Sequence, residues 1–304
     1  MPNDSDRDPA EAGASLVPRG QAKTTTPRRA STDPSQPSPP NPSREELLSA
    51  FGSGDLSIPS LFQFCFVPPG RLALLSELAT VEDWGEKDYV LLRYLAVHIR
   101  LALEQDRYVW NGEQIVMSAG TLSNDSDAPL YLGLVPNSIG GENPWVLNWV
   151  GERPSTAHLP GPAEIGEWPD LDPRSEILVA ADLADPDRRA RPSALEGLEP
   201  ITQVCALIGA VHWALHRGLA IPQLHGGGRG FFAPVYLTSR SDLTAAPDVV
   251  VPLVPQGGRY VIRTVLEPAS VYAPSRCVVE RGDQLPPWLL ESWDASREAE
   301  GSGA

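Results

Sequence analysis

Two stretches of this chain place apolar residues at helical spacing. Between Asp88 and Gln105 every third or fourth position is apolar and charged residues occupy the opposite stripe, which predicts an amphipathic helix. A second apolar stripe begins at Pro200, an acceptable first residue of a helix, and continues to about Arg217, just before Gly218. These two segments are the predicted main helices.

The other apolar runs are short, rich in β-branched or aromatic residues and separated by turn residues, which is typical of strands. The runs are Leu61–Val67, Gln114–Met117, Leu130–Val135, Trp145–Val150, Glu176–Ala180, Phe231–Thr238, Asp248–Val254 and Arg259–Leu266. The three successive valines at 249–251 indicate a strand that is covered on both faces. The pattern predicts an α+β fold, with a mixed, largely antiparallel sheet packed against the two main helices.

The two ends of the chain differ in composition from its middle. Residues 1–43 are rich in proline, serine, threonine and aspartate and nearly lack large apolar side chains, so burial cannot offset the entropy of ordering them. We predict a disordered tail over 1–43, an N-terminal extension over 44–84, a single α+β domain over 85–295 and a disordered tail over 296–304. Ser43 and Glu46 stand at capping-box spacing, which predicts a short helix at the start of the extension.

Charge and cysteine content narrow the class of function. The net charge is −15, and the charges of the first 43 residues balance, so the deficit lies in the folded part. Because non-specific binding of duplex nucleic acid needs a basic face, the composition argues against that mode but not against a local arginine pocket. Three widely spaced cysteines without a C-x-x-C pair are typical of a reducing compartment. Without a secretory pattern or a long apolar run, we expect a cytoplasmic protein with no membrane partner.

Three motifs with chemical potential have simpler interpretations. His212 and His216 stand four residues apart like half of a zinc site, but no third ligand follows at suitable spacing, so we predict no metal and no cofactor. The glycine-rich run at 226–230 precedes a strand instead of the helix that a phosphate loop requires. The charged cluster from Asp182 to Pro192 is either a cation or phosphate site or a solvated loop whose charges neutralise one another.

The segment Arg259–Arg276 begins as a predicted strand and ends in a turn-rich stretch with groups able to bind an anion or a sugar. Tyr272 and Arg276 are four residues apart, so both point the same way on one helical turn. One interpretation is an arginine fork that binds carboxylate or phosphate beside a stacking tyrosine. The other is an arginine that anchors the C-terminal segment through a carboxylate such as Glu267.

Several short pieces occur in a recognisable order, namely the helix at 88–105, Pro129–Asn137, Trp145, Pro222-Gln223, Pro234–Leu237, Tyr260, Thr264–Leu266, Tyr272, Arg276 and Trp288-Leu289. Over about Asp83 to Trp293 this order resembles the family named domain of unknown function 3825. That family's Asn-Thr-Gly-Leu box corresponds here to Ser118–Thr121, so only its glycine, Gly120, is kept. Members often accompany RNA-binding modules, so the resemblance implies an RNA-linked role.

The first functional hypothesis is a binding module that holds a nucleotide or the end of a single-stranded RNA by an arginine fork and aromatic stacking. The predicted ligand-binding residues are Gly120, Asn137, Thr264, Tyr272 and Arg276.

Two alternatives stay open, and the sequence does not decide whether the protein is an enzyme. One is a metal-assisted hydrolase of a phosphoester or nucleotide, in which Arg276 stabilises developing negative charge and the metal lies near Asp182, Asp185 and Asp187. The other is a structural or interaction protein without a small-molecule site.

Overall fold

The computed structural model describes residues 41–52, 56–79, 82–138, 141–154, 158–180, 195, 197–225 and 228–302. Its helices are α1 (Arg44–Ala50), α2 (Ile58–Phe64), α3 (Pro69–Leu78), α4 (Tyr89–Glu104), α5 (Pro200–His216), α6 (Tyr272–Arg276) and α7 (Pro287–Ser302). Its strands are β1 (Cys65–Phe66), β2 (Tyr108–Trp110), β3 (Ile115–Ser123), β4 (Pro129–Pro136), β5 (Trp145–Glu152), β6 (Glu176–Val179), β7 (Ile221–His225), β8 (Gly228–Val235), β9 (Val249–Gln256) and β10 (Arg259–Ile262).

The strands form two five-stranded sheets. Sheet A has the order β1-β5-β4-β3-β2, and sheet B has the order β6-β10-β9-β8-β7. One outer pair in each sheet is parallel, β1 with β5 and β6 with β10, and the other neighbours are antiparallel. The predicted α+β class and the largely antiparallel pairing are confirmed, although the strands divide between two sheets where the sequence predicted one.

Each predicted main helix packs against its own sheet. Helix α4 packs on β3 of sheet A, and α5 packs on β8 of sheet B. Both helices lie within one residue of the predicted bounds at each end, and Gly218 follows α5 with a φ of +66°, a backbone conformation that favours glycine. No helix in the described ranges is both long enough and apolar enough to cross a membrane.

The predicted N-terminal extension belongs to the same core as the rest of the domain. Leu47 of α1, Phe64 of α2 and Leu75 of α3 are fully buried and join the apolar face of α4 and the inner face of sheet A in one cluster. The predicted capping box at Ser43 and Glu46 is present and starts α1. The helices of the predicted extension therefore contribute to the core of the domain.

Sheet B is packed on both faces near its centre. Val249 and Val251 contribute to a second core beneath α5, whereas Val250 and Phe232 face the first core. The prediction that the three valines are covered on both sides is therefore confirmed. The covering ends before the end of β9, because Val254, on the same face as Phe232, is 48% exposed.

Two segments differ from their predicted state. The run Leu61–Val67 is mostly helix α2, since Ser57 caps the backbone N–H of Ser60 and a proline stands in the first turn, both of which favour a helix start. Only Cys65–Phe66 pairs as a strand. Helix α7 continues to Ser302, through residues that the sequence assigned to a disordered tail.

Candidate functional site

Arg276 lies at the end of the short helix α6, and its side chain is 1% exposed. Its Nε and Nη2 donate to the two carboxylate oxygens of Glu82 at 2.6 and 2.8 Å, and its Nη1 donates to the carbonyl of Val279 at 3.0 Å. Such a two-point pair with a carboxylate is the strongest geometry available to arginine. All three guanidinium nitrogens are engaged within the protein.

Aromatic rings complete the surroundings of this guanidinium. Its Cζ lies 5.4 Å from the ring centroid of Trp84 and 5.2 Å from that of Tyr94, within the range of cation–π attraction. Burial lowers the pKa of Arg276, but the hydrogen bonds and charge of Glu82 outweigh burial and leave that pKa above its ordinary value. The arginine is therefore a charged group inside the fold.

Tyr272 lies in the same cluster, as the four-residue spacing predicted. Its ring stacks on Trp293 of α7 with centroids 4.6 Å apart and planes 8° from parallel. Burial, and then the charge of Glu82, raise the pKa of Tyr272 to about 12. This phenol anchors α7 to α6 and stays protonated at neutral pH.

Gly120 approaches the cluster from sheet A. Its φ is +71°, and a Cβ placed there would lie 2.4 Å from the Tyr94 hydroxyl and 2.6 Å from Nδ1 of His98. The Tyr94 hydroxyl accepts from the backbone N–H of Thr121 at 2.6 Å and lies 2.8 Å from the Thr121 hydroxyl. Close packing of β3 on α4 requires glycine at this position.

His98 fills the space between Gly120 and α6. Its Nε2 lies 3.1 Å from the carbonyl of Cys277, which only accepts, so this nitrogen carries the proton and donates. Burial is the main cause that lowers the pKa of His98, to about 4. The ring is thus a neutral packing residue, the simpler interpretation of a histidine beside an apolar stripe.

The structure brings together three of the five predicted residues, Gly120, Tyr272 and Arg276, around Glu82 and Tyr94. We call these five residues the Arg276 cluster. Glu82 is the carboxylate that the anchoring interpretation requires, in the place where the sequence suggested Glu267. The sequence carries no signal for this pairing, because the two partners are 194 residues apart.

Asn137 lies elsewhere, in the loop after β4. Its side-chain amide donates to the carbonyl of Asn143 at 2.9 Å and its backbone N–H donates to the carbonyl of Pro144 at 2.8 Å. Tyr131 pairs with Ser118 near Gly120, and at about 3.3 Å of rise per residue Asn137 is on the order of 20 Å further along the strand. Asn137 therefore shapes a turn, away from the Arg276 cluster.

Thr264 lies just after β10, where it lines a cavity of about 430 Å³ that we call the Thr264 cleft. The cleft opens on the same face of sheet B as Phe232 and Val250, beyond the part of that face that the first core covers. Its wall is mostly apolar and contains Phe232, Pro252, Val254, Val261 and Leu266. Its polar groups belong to Gln256, Arg263 and Thr264.

A second and more open cavity, of about 600 Å³, adjoins the Thr264 cleft at Pro255. Its wall includes the side chains of Glu104, Trp168 and Arg229. Arg229 donates from Nε to the carbonyl of Ile165 at 2.7 Å, and Glu104 accepts from Arg100 at 2.7 Å. Opposite charges on one wall give this cavity no clear preference for either sign.

The candidate metal ligands that the sequence offered lie in two parts of the chain. Asp182, Asp185 and Asp187 lie outside the described residues. Among the described side chains no group of three His, Cys, Asp or Glu is arranged to hold a metal ion. Nδ1 of His212 donates to the carbonyl of Pro173 at 3.1 Å, so His212 ties α5 to the connection before β6.

Comparison with known proteins yields no relative for this chain. No protein-family model matches it, and neither does any curated protein or solved structure. The resemblance to the family named domain of unknown function 3825 stays a prediction.

Proposed function

We propose that this protein is a ligand-binding module and that the Thr264 cleft is its site. The proposed ligand is a small organic anion with a flat or apolar body. A mononucleotide, or the terminal nucleotide of a single-stranded RNA, is the member of that class that the sequence favours. One observation carries the proposal: an open cleft with an apolar wall and an arginine at its edge.

The size and lining of the cleft support a small ligand. Protein sites for small molecules commonly measure about 300–1,000 Å³ and combine apolar walls with a few polar groups, and the Thr264 cleft has about 430 Å³. Val254 is 48% exposed in its wall although the same face is covered nearer the centre of sheet B. The side chain of Val254 therefore extends the apolar wall of the cleft toward the solvent.

The charge of the cleft supports an anionic ligand. Arg263 and Thr264 place a guanidinium and a hydroxyl group beside the apolar wall, in a chain whose net charge is −15. The Thr264 hydroxyl also donates to the carbonyl of Val265 at 3.3 Å. A guanidinium binds carboxylate and phosphate through paired N–H groups. A single phosphate near Arg263 with its base on the Pro252–Val254 surface suits a mononucleotide or a strand end, and needs no broad basic face.

Arg276 does not support the same role. Its donors are engaged with Glu82 and Val279, and its side chain is 1% exposed. We therefore assign the arginine fork to Arg263 in place of Arg276. Of the predicted ligand-binding residues, we retain Thr264.

The hydrolase alternative has less support in this cleft. The described residues that line it include no histidine, cysteine, aspartate or glutamate, the side chains that act as general bases or bind a metal. The test is release of phosphate from nucleotides with and without added Mg²⁺, and turnover would favour the alternative. A cytoplasmic location belongs to the main proposal, since the free cysteine thiols fit a reducing compartment.

Calorimetric titration with the four ribonucleoside monophosphates, and with the four nucleosides as phosphate-free controls, tests the proposal. We expect at least one monophosphate to bind and its nucleoside to bind at least tenfold more weakly. Arg263→Gln and Val254→Glu are each expected to weaken binding at least tenfold. Arg259→Gln is the matched control, because Arg259 is exposed at the start of β10, lies outside the cleft lining and pairs with Glu176.

Two results would overturn the proposal. One is the lack of binding by every monophosphate at millimolar concentration, which would favour the interaction protein without a small-molecule site. The other is binding that Arg263→Gln and Val254→Glu both leave unchanged, which would place the ligand elsewhere.

A further inference from the structure

One tryptophan near the end of α5 lies beneath two arginines. The Cζ atoms of Arg217 and Arg240 lie 4.9 and 4.8 Å from the ring centroid of Trp213. Arg217 follows α5 directly, whereas Arg240 comes from the loop after β8 and donates from Nε to the carbonyl of Tyr236 at 3.2 Å. We call Trp213, Arg217 and Arg240 the arginine–tryptophan patch.

The two guanidinium groups lie over the same indole ring and are not paired with acids in the described part of the chain. Their Cζ atoms are at most 9.7 Å apart, the sum of their distances to the shared ring centroid. Both side chains are exposed, and within the described part of the chain neither lies at salt-bridge distance from a carboxylate. Other exposed arginines do pair, such as Arg259 with Glu176 at 3.6 Å.

The nearest acid along the chain is already engaged. Asp242, two residues after Arg240, accepts from the backbone N–H and the hydroxyl of Thr244 at 2.9 and 2.6 Å. These bonds, with the hydroxyl of Thr244 as the largest cause, lower the pKa of Asp242. Its charge is near the patch, and one of its oxygens, Oδ1, is held by the loop itself.

Compensation of the helix dipole explains only part of this arrangement. A cation beside the last turn of α5 is favourable, and Arg217, the residue that follows α5, supplies it. Arg240 belongs to another element and brings a second positive charge to the same ring. Cation–π attraction, worth about 0.5–1 kcal/mol at exposed sites, holds two like charges together in a chain whose net charge is −15.

We propose that the arginine–tryptophan patch binds a phosphate monoester carried by a phosphorylated side chain of a partner protein. Two guanidinium groups present paired N–H donors to a phosphate dianion, and arginine clusters are a common receptor for phosphorylated residues. The indole already contacts two guanidinium groups, whereas a site for a nucleic-acid base needs an open ring face. The patch lies on the protein surface, which suits a group carried by a larger partner.

This site is independent of the Thr264 cleft. Helix α5 packs on the face of sheet B that contains Ala233 and Val251. The cleft lies on the opposite face, with Phe232 and Pro252. Failure at one site therefore has no consequence for the other.

Fluorine NMR of the full chain labelled with 5-fluorotryptophan tests the proposal. The chain has eight tryptophans, and Trp213→Phe identifies the resonance of interest. The probes are capped phosphoserine, capped serine and inorganic phosphate at constant ionic strength, together with a 5′-phosphorylated trinucleotide. We expect saturable movement of the Trp213 resonance with capped phosphoserine, at least tenfold tighter than with inorganic phosphate, and none with capped serine.

Arginine variants distinguish specific binding at the patch from a general effect of positive charge. Arg217→Gln and Arg240→Gln are each expected to weaken phosphoserine binding at least fivefold, and Arg240→Lys, which keeps the charge without the planar fork, at least twofold. Arg259→Gln is expected to change nothing. Because all three arginines are exposed, their variants should keep the urea midpoint of the wild type, so loss of binding does not reflect unfolding.

Several outcomes would overturn the proposal. Equal binding of inorganic phosphate and capped phosphoserine would show that the patch binds any phosphate anion. Tighter binding of the trinucleotide would show that the patch is a nucleic-acid site. No movement of the Trp213 resonance, or equal movement in the Arg217→Gln, Arg240→Gln double variant, would show that the patch binds no phosphate.

Discussion

Replacing Arg276 by methionine removes one partner of a buried ion pair while keeping an unbranched side chain against Trp84 and Tyr94. The guanidinium now makes two bonds to Glu82 and one to the carbonyl of Val279. In the variant, the described residues would leave Glu82 one hydrogen-bond donor, the backbone N–H of Gly282 at 3.3 Å. A carboxylate that is only 12% exposed would then lack its counter-charge.

The expected loss of stability is large for a single substitution. Removing one member of a buried pair costs about 3–5 kcal/mol, because the remaining charge stays buried without compensation. Replacing both members by apolar residues of similar size restores much of this loss, since no charge is left in the interior. We therefore expect Glu82→Leu and Arg276→Met each to cost about 3–5 kcal/mol, and the double variant to cost at least ~2 kcal/mol less than the two single costs together.

Urea unfolding followed by circular dichroism measures these differences. With an m value of about 2–3 kcal/mol/M, a loss of about 3–5 kcal/mol lowers the midpoint by about 1–2 M. The control is Arg281→Met, since Arg281 pairs with Asp283 at 2.8 Å but both side chains are more than half exposed. An exposed pair contributes about 0–1 kcal/mol, so its midpoint should hardly move.

The reasoning would be refuted by either of two results. One is an Arg276→Met variant that stays within about 1 kcal/mol of the wild type, as if the pair were solvated. The other is a double variant whose cost equals the two single costs together, which would show that Glu82 and Arg276 act independently. Neither result depends on the identity of a ligand.

Three further predictions concern the same core. Gly120→Ala should lower the urea midpoint far more than Gly112→Ala, because both positions have positive φ but only Gly120 would push a Cβ into Tyr94 and His98. His98 has its pKa lowered to about 4 by burial, below its unfolded value, so its contribution is present above about pH 6.5 and is lost as the pH falls toward 4. The stability difference between wild type and His98→Gln should therefore shrink by roughly 3 kcal/mol over that range in paired urea titrations. Of the three cysteines only Cys205 is exposed, so the native protein should react with one equivalent of a thiol reagent and the unfolded protein with three; fast reaction of a second thiol in the native state would contradict the described core.

Elements with a regular apolar period were predictable from the sequence, and elements defined by their ends were not. Helices α4 and α5 carry apolar stripes at helical spacing, and the structure confirms both. The run Leu61–Val67 has no clear period, so its aromatic content favoured a strand. Its state is decided instead by the cap at Ser57 and the proline that follows, two local signals that lie before the apolar run.

The candidate site shows a second limit of sequence reasoning. The four-residue spacing of Tyr272 and Arg276 correctly predicts that both side chains enter the same cluster. The spacing does not indicate which residue pairs with Arg276. Glu82 belongs to a segment 194 residues away, and the Glu82–Arg276 pair depends on how α6 packs against α4. Asn137 fails for the same reason, since its place in a turn is local while its distance from α6 depends on the sheet.

Burial decides which arginine of this chain is suited to bind a ligand. In the sequence, the arginines at 217, 240, 263 and 276 are equivalent cations, and proximity to Tyr272 favoured the last. In the structure, Arg276 is enclosed with its donors engaged. Arg263, in contrast, lines an open cleft, and the exposed residues Arg217 and Arg240 lie over one half-buried ring. A guanidinium binds a partner only through N–H groups that the partner reaches. The functional proposals therefore concern Arg217, Arg240 and Arg263, whereas Arg276 stabilises the fold.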